Sequence, residues 1–189
     1  MNVDKCNELL IRYIQDPENP ESNYALGIFY EDNGHTASAV SYYLRTAERT
    51  YDTLLQYECL LRAAICFKKQ GCRNYTVKGL MQNAISLDPK RPEAYFLLSK
   101  HYEHTKEWSE SYMIASIGDK LAKFGQKPLR TWVEYPFGDY GILFQKAVAS
   151  WWCGLCDESR KLFVLLKDKY QMEQQYEEAV NNNLQKLYP

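Results

Sequence analysis

One phrase occurs twice in this chain: Asp16-Pro17-Glu18-Asn19-Pro20-Glu21 and Asp88-Pro89-Lys90-Arg91-Pro92-Glu93. A repeat constrains a fold more than any composition does, because each copy is one supersecondary unit and the core exists only when copies stack. Each copy reads as a turn that opens a helix. The second proline suits the first helical turn, where its missing N–H leaves no bond unmade. The glutamate comes next, where the helix dipole favours an anion. The copies lie 72 residues apart, close to two periods of about 34 residues with a short insertion.

The residues after each copy are also similar. Tyr24, Leu26-Gly27 and Tyr30 lead to a turn at Asn33-Gly34; Tyr95, Leu98-Ser99 and Tyr102 lead to a turn near Lys106. These positions share one face of a helix, and a small residue beside a large one lets a second helix approach closely. A further unit lies between the copies, with Leu60, Ala63-Ala64 and Phe67 on one face, a turn at Gly71, and a second helix through Leu80 and Ala84-Ile85 to Asp88-Pro89. Another comes later: Leu143, Ala147 and Trp151, a turn at Gly154, then Ser159 and Phe163. Unit starts at Pro20, Tyr57, Pro92 and Tyr140 give spacings of 37, 35 and 48 residues. No segment alternates with period two for long, so strands are not expected.

These residues resemble the tetratricopeptide repeat, a helix–turn–helix unit with a W-x₂-L-G-x₂-Y…A-x₃-F…P pattern. The first unit matches best, with Leu26-Gly27-x-x-Tyr30 followed by Ala39 and Tyr43, and the second ends on Ala84…Pro89. The pattern's tryptophan position holds Asn23, Leu60, Tyr95 and Leu143 instead. The resemblance implies an all-α fold, a right-handed superhelical solenoid of about four antiparallel helix pairs with capping helices. Repeats are expected at 20–53, 57–89, 92–124 and 140–170, with caps at 1–16 and 173–187, all within one domain. Residues 37–50 and 140–147 are similar to tetratricopeptide segments that accompany family 2 glycosyltransferases in marine bacteria and their phages. That implies a setting, with any glycosyltransferase a separate protein, since the chain has no sugar-nucleotide domain of its own. It leaves as the alternative function an accessory module of a glycosyltransferase system that recognises the acceptor or the partner enzyme.

The long spacing holds an insertion at about 125–139, whose neighbourhood carries Phe124, Trp132, Tyr135 and Phe137. A loop of this length is functional or disordered, and its aromatic content argues for packing. It either covers the seam between the third and fourth units or reaches into a binding groove.

In tetratricopeptide proteins the first helix of each pair lines the concave face. The resemblance therefore implies a peptide-binding groove of Tyr24, Ile28, Leu61, Ile65, Phe96, Lys100, Phe144, Val148 and Trp151, rimmed in part by Glu31, Asp32, Lys68 and Lys69. Packing between repeats is the competing role for the same side chains. An apolar groove of this kind takes an amphipathic helix or an extended peptide through a few anchors. The basic clamp that some tetratricopeptide proteins use for C-terminal carboxylates is not expected, because only Lys68, Lys69 and Lys100 are basic there.

Other chemistries find little support. A net charge of −1, with both signs dispersed, gives no nucleic-acid or membrane-surface footprint. The N-terminus lacks a signal-peptide pattern and no apolar run approaches a span, so a cytoplasmic location with free thiols is expected. Trp152-Cys153-Gly154-Leu155-Cys156 has the spacing of a redox motif but no βαβ context, and reads as an interhelical turn. His101 and His104 are three apart without an evident third ligand, and read as surface or rim residues. Cys66 and Cys72 have no matching second pair. No nucleophile–base set or phosphate loop stands out, so no cofactor, metal or catalytic residue is expected. The expected partner is a protein or peptide.

Overall fold

The computed structural model describes residues 3–71, 73–136 and 138–187. Among them are ten helices and no strand: α1 (Val3–Gln15), α2 (Pro20–Asp32), α3 (Thr36–Arg49), α4 (Thr53–Gln70), α5 (Asn74–Leu87), α6 (Pro92–His104), α7 (Trp108–Leu121), α8 (Gly141–Trp152), α9 (Cys156–Lys169) and α10 (Gln174–Leu187). The helices form the expected pairs α2/α3, α4/α5, α6/α7 and α8/α9. The chain divides into two compact units, one of residues up to Asp88 together with Pro128–Thr131, the other of Pro89–Lys127 and the residues from Trp132 onward.

Helix starts arise from local chemistry. Asn19 caps α2, its side chain accepting from the Ser22 N–H, with Pro20 in the first turn. Asp52 caps α4 by accepting from the N–H groups of Leu54 and Leu55. That cap starts α4 at Thr53 rather than at Tyr57, where hydrophobic periodicity placed it. An aspartate cap contributes about 1 kcal/mol, and burial of Leu55 adds to it in fixing this earlier start.

Three of the four pairs, α2/α3, α6/α7 and α8/α9, close on a common turn. His35, Glu107 and Leu155 donate backbone N–H groups to the carbonyls of Tyr30, Tyr102 and Ser150, each five residues back, at 2.8–2.9 Å. The residue before each donor has positive φ: Gly34 at 78°, Lys106 at 61° and Gly154 at 79°. Lysine in this left-handed conformation costs roughly 1–2 kcal/mol. Lys106→Gly should therefore stabilise the second unit by about 0.5–1 kcal/mol after glycine's own entropy cost, read as a higher urea midpoint. An unchanged midpoint would show that the turn is not strained.

Close helix approach uses small residues twelve positions apart. A Cβ on Gly27 would lie 2.7 Å from the Tyr43 ring. Ser99 and Ser111 exchange hydrogen bonds, each hydroxyl donating to the other's carbonyl at 3.0 Å, and the Ser159 hydroxyl donates to the Ala147 carbonyl at 2.8 Å. The departures from the tetratricopeptide tryptophan also have a reason. Asn23 Nδ2 donates to the Pro17 carbonyl at 2.8 Å, and the Tyr95 hydroxyl donates to the Pro89 carbonyl at 3.1 Å. Each satisfies the first proline carbonyl of its repeated phrase from six residues downstream.

In the first unit, α1 packs Cys6 and Leu9 against Leu26 and Phe29 of α2. In the second, Val180 of α10 joins Tyr140, Ala147, Phe163 and Leu166, and the rings of Trp108 and Trp152 stack at 4.8 Å and 14°. Among the described residues no helix is long and apolar enough to cross a membrane.

Candidate functional site

The most elaborate polar arrangement lies in the first unit, on α2 and α4. Tyr24 and Glu31 stand two turns apart on α2; Glu58 and Arg62 stand one turn apart on α4. Helical periodicity therefore presents each pair on one face. Glu58 has no exposed surface. A buried carboxylate persists only if its lone pairs are filled, and those of Glu58 are. The Tyr24 hydroxyl donates to it at 2.5 Å. Two successive backbone N–H groups at a bend in the loop do so as well, Arg130 at 2.7 Å and Thr131 at 3.1 Å. The Thr131 hydroxyl is a fourth donor.

Arg62 completes the set. Its Nε donates to Thr131 Oγ1 at 2.6 Å and lies 3.5 Å from Glu58, and its Nη1 donates to Glu31 at 2.8 Å. Glu31 also accepts from the Tyr43 hydroxyl at 2.7 Å and from Lys69 at 3.2 Å. The Arg130 side chain lies over the Tyr24 ring at 5.5 Å and reaches Glu21 at 2.6 Å and Asp52 at 3.3 Å. The segment is thus held through its backbone, one hydroxyl and one guanidinium.

Burial opposes ionisation of Glu31. The Tyr43 hydrogen bond and the charges and hydrogen bonds of Arg62 and Lys69 outweigh it, and hold the carboxyl below its ordinary 4.5. Burial, and the bond to Glu58, push the Tyr24 phenol up. A carboxyl whose folded value is depressed stabilises the fold above its unfolded value, and that contribution is lost as pH falls through the folded value. The first unit's urea midpoint should therefore fall as pH drops below about 4.5, and Glu31→Gln should shrink that fall. Identical pH profiles for the two proteins would show that Glu31 is not the group responsible.

The residues singled out from the sequence fall in different surroundings. Tyr24 is buried within the Glu58 network, and Leu61 and Phe96 have no exposed surface. Ile28 and Ile65 are half-buried on α2 and α4. In the second unit the Tyr135 ring packs edge-on against Phe96 at 5.4 Å, while Lys100 lies over the Phe96 ring at 5.7 Å and pairs with Glu134 at 3.4 Å. Phe144 meets Phe163 at 6.3 Å and Tyr176 of α10 at 5.0 Å. Val148 and Trp151 are half-buried, and Trp132 is exposed. The loop thus sends residues 130–131 onto α2 and α4 and Tyr135 onto α6. Phe137 and Cys72 lie outside the described residues.

His101 is buried on α6, not at a rim as its spacing suggested, because α6 is covered by α7, by α8 and by Tyr135; His104 is exposed. Cys153 and Cys156 flank the α8/α9 turn at Gly154, as thiols rather than a disulfide. Burial raises the Cys66 thiol to about 12. Among the described residues no three His, Cys, Asp or Glu side chains are placed to hold a metal.

Comparison with solved structures now decides the fold. The chain is similar to MamA at 18% identity and a TM-score of 0.64, covering 94% of this chain and 87% of that one. It is similar to PilW, a widely conserved type IV pilus biogenesis factor, at 16% identity and 0.69, covering 95% and 76%. It is also similar to TTC0263, a thermophilic TPR protein in Thermus thermophilus, at 14% identity and 0.61, covering 94% and 87%. The chain has the tetratricopeptide fold. No family model matches the sequence and no curated protein is similar to it.

Within this tetratricopeptide fold, sequence reasoning missed Glu58, Arg62, Arg130 and Thr131, and it placed Glu31 on a rim. One cue was present. Glu58 and Arg62 form an i,i+4 pair inside a run, Tyr57 to Ala64, that is otherwise apolar on every side. Charges with no polar face around them are charges with an internal partner.

Proposed function

We propose that the chain is a non-catalytic scaffold that binds a polypeptide, as a peptide or a helix, on the faces of the first helices of its pairs. In the first unit Tyr24, Ile28 and Ile65 offer one contact surface, with Leu61 buried on the same helix as Ile65; in the second Lys100, Phe144, Val148 and Trp151 offer another, with Phe96 buried on the same helix as Lys100. The observation that carries this reading is Glu58: a carboxylate on a first helix that takes two successive backbone N–H groups from a bent loop segment. Backbone capture of that kind is how a peptide site gains affinity, with side-chain pockets supplying specificity.

The test is capture of partners by the full chain and by Ile65→Asp and Val148→Asp variants. Both residues are half-buried, so these changes alter the surface more than the core. A partner held by the wild type and lost with either variant supports the reading; equal capture by all three overturns it. The likeness of residues 37–50 and 140–147 to repeats that accompany family 2 glycosyltransferases makes such an enzyme the first purified partner to try.

A further inference from the structure

We infer that the α2/α4 face of the first unit recognises a bent segment carrying an arginine followed by a threonine or serine, and that residues 128–131 occupy this site as a built-in competitor. This rests on the scaffold reading and adds the chemistry of the ligand.

Each element of the site matches one feature of that dipeptide. Glu58 reads the two successive backbone N–H groups, which the bend at residues 130–131 turns to the same side. The hydroxyl is read from both sides, since Thr131 Oγ1 donates to Glu58 and accepts from Arg62 Nε at 2.6 Å. Valine has threonine's shape but would remove both hydroxyl hydrogen bonds, the one that Glu58 accepts and the one that Arg62 Nε donates, and hydrogen bonds to buried charged groups are costly to lose. The guanidinium is read by Tyr24 below it and by Glu21 and Asp52 beside it. Two carboxylates and an aromatic face around one position select arginine, whose planar fork can both stack and pair.

The occupant is held in a way that permits exchange. None of residues 123–132 is buried, so the segment contributes no apolar anchor of the kind that fixes a permanent contact. It docks by hydrogen bonds and by ion pairs that are one-third to two-thirds exposed, and such pairs are individually weak. Its advantage is tethering, which presents it to the site at an effective concentration on the order of millimolar. A partner segment with the same dipeptide plus one apolar anchor would displace it.

The experiment uses a labelled hexapeptide with the sequence of residues 127–132 and a second peptide with valine for its threonine. Each is titrated into the full chain and into Arg130→Ala, a change at a side chain one-third exposed. The threonine peptide should bind Arg130→Ala about tenfold more tightly than wild type, and about tenfold more tightly than the valine peptide does. Adding Glu58→Gln should abolish the discrimination. Equal binding of the two peptides, or none, by a natively helical Arg130→Ala overturns the inference. A measurement on wild type needs no variant: excess threonine peptide should shift the amide resonances of Arg130 and Thr131, and unmoved resonances at saturating peptide overturn it as well. A random-peptide selection on Arg130→Ala separates the two levels. Ligands without the basic–hydroxyl pair would retain the scaffold and remove the arginine–threonine assignment; no ligand at all would remove both.

Discussion

Arg62→Met should destabilise the first unit by about 3–5 kcal/mol, the cost of leaving a buried ionic network without its cation. Arg62 touches Glu31, Glu58 and Thr131 together. Without it, Glu58 keeps its hydrogen-bond donors but loses its neighbouring positive charge at zero exposure. Glu31 keeps Tyr43 and the more exposed Lys69. The measurement is a urea transition followed by far-UV circular dichroism. Arg62→Met/Glu58→Gln should recover part of the loss, because the second change removes the stranded charge and the two sites are coupled. A loss below about 1 kcal/mol would place Arg62 among ordinary surface ion pairs and would remove the basis for treating this face as a built site.

Phe96→Ala should cost the second unit about 3–5 kcal/mol. The side chain has no exposed surface and touches three things at once. Tyr135 lies edge-on at 5.4 Å, the Lys100 ammonium lies over its face at 5.7 Å, and a Cβ on Gly141 would come within 3.3 Å of the ring. Removing it opens a cavity that the surrounding side chains cannot close without breaking these contacts. The same urea experiment checks it, and a loss below about 1.5 kcal/mol would mean that the site collapses freely. Phe96→Ala is therefore a stability variant, and any binding it loses is a consequence of the fold.

The helix pairs and their turns were legible in the sequence because both rest on local chemistry. The Asp-Pro-x-x-Pro-Glu phrase, the small–large pairs at Gly27 and Ser99, and the glycines at 34, 71 and 154 each act within a few residues. Lys106 was recognised as a turn from its place in the repeat, although lysine does not favour the left-handed conformation it adopts there. The start of α4 was misplaced because a unit start at Tyr57 weighs neither Asp52 as a cap nor Leu54 and Leu55 as part of the helix. The polar network escaped for a different reason. Glu58 and Arg130 are 72 residues apart, and no local pattern announces a contact made through an irregular loop. The aromatic content of that loop drew attention to Trp132 and Tyr135, while its firmest attachment to the first unit is made by a threonine hydroxyl and two backbone amides.

The stacked pair of Trp108 and Trp152 belongs to a wider asymmetry. All four tryptophans of the chain lie in the second unit and none in the first, whereas the sixteen tyrosines are divided evenly between them. Red-edge excitation of fluorescence therefore illuminates one half of the molecule alone. Comparing the indole curve with the total helical curve turns one denaturation into two. Superposed transitions would mean that the halves melt together; separated ones would give each half its own melting temperature without cutting the chain or adding a label.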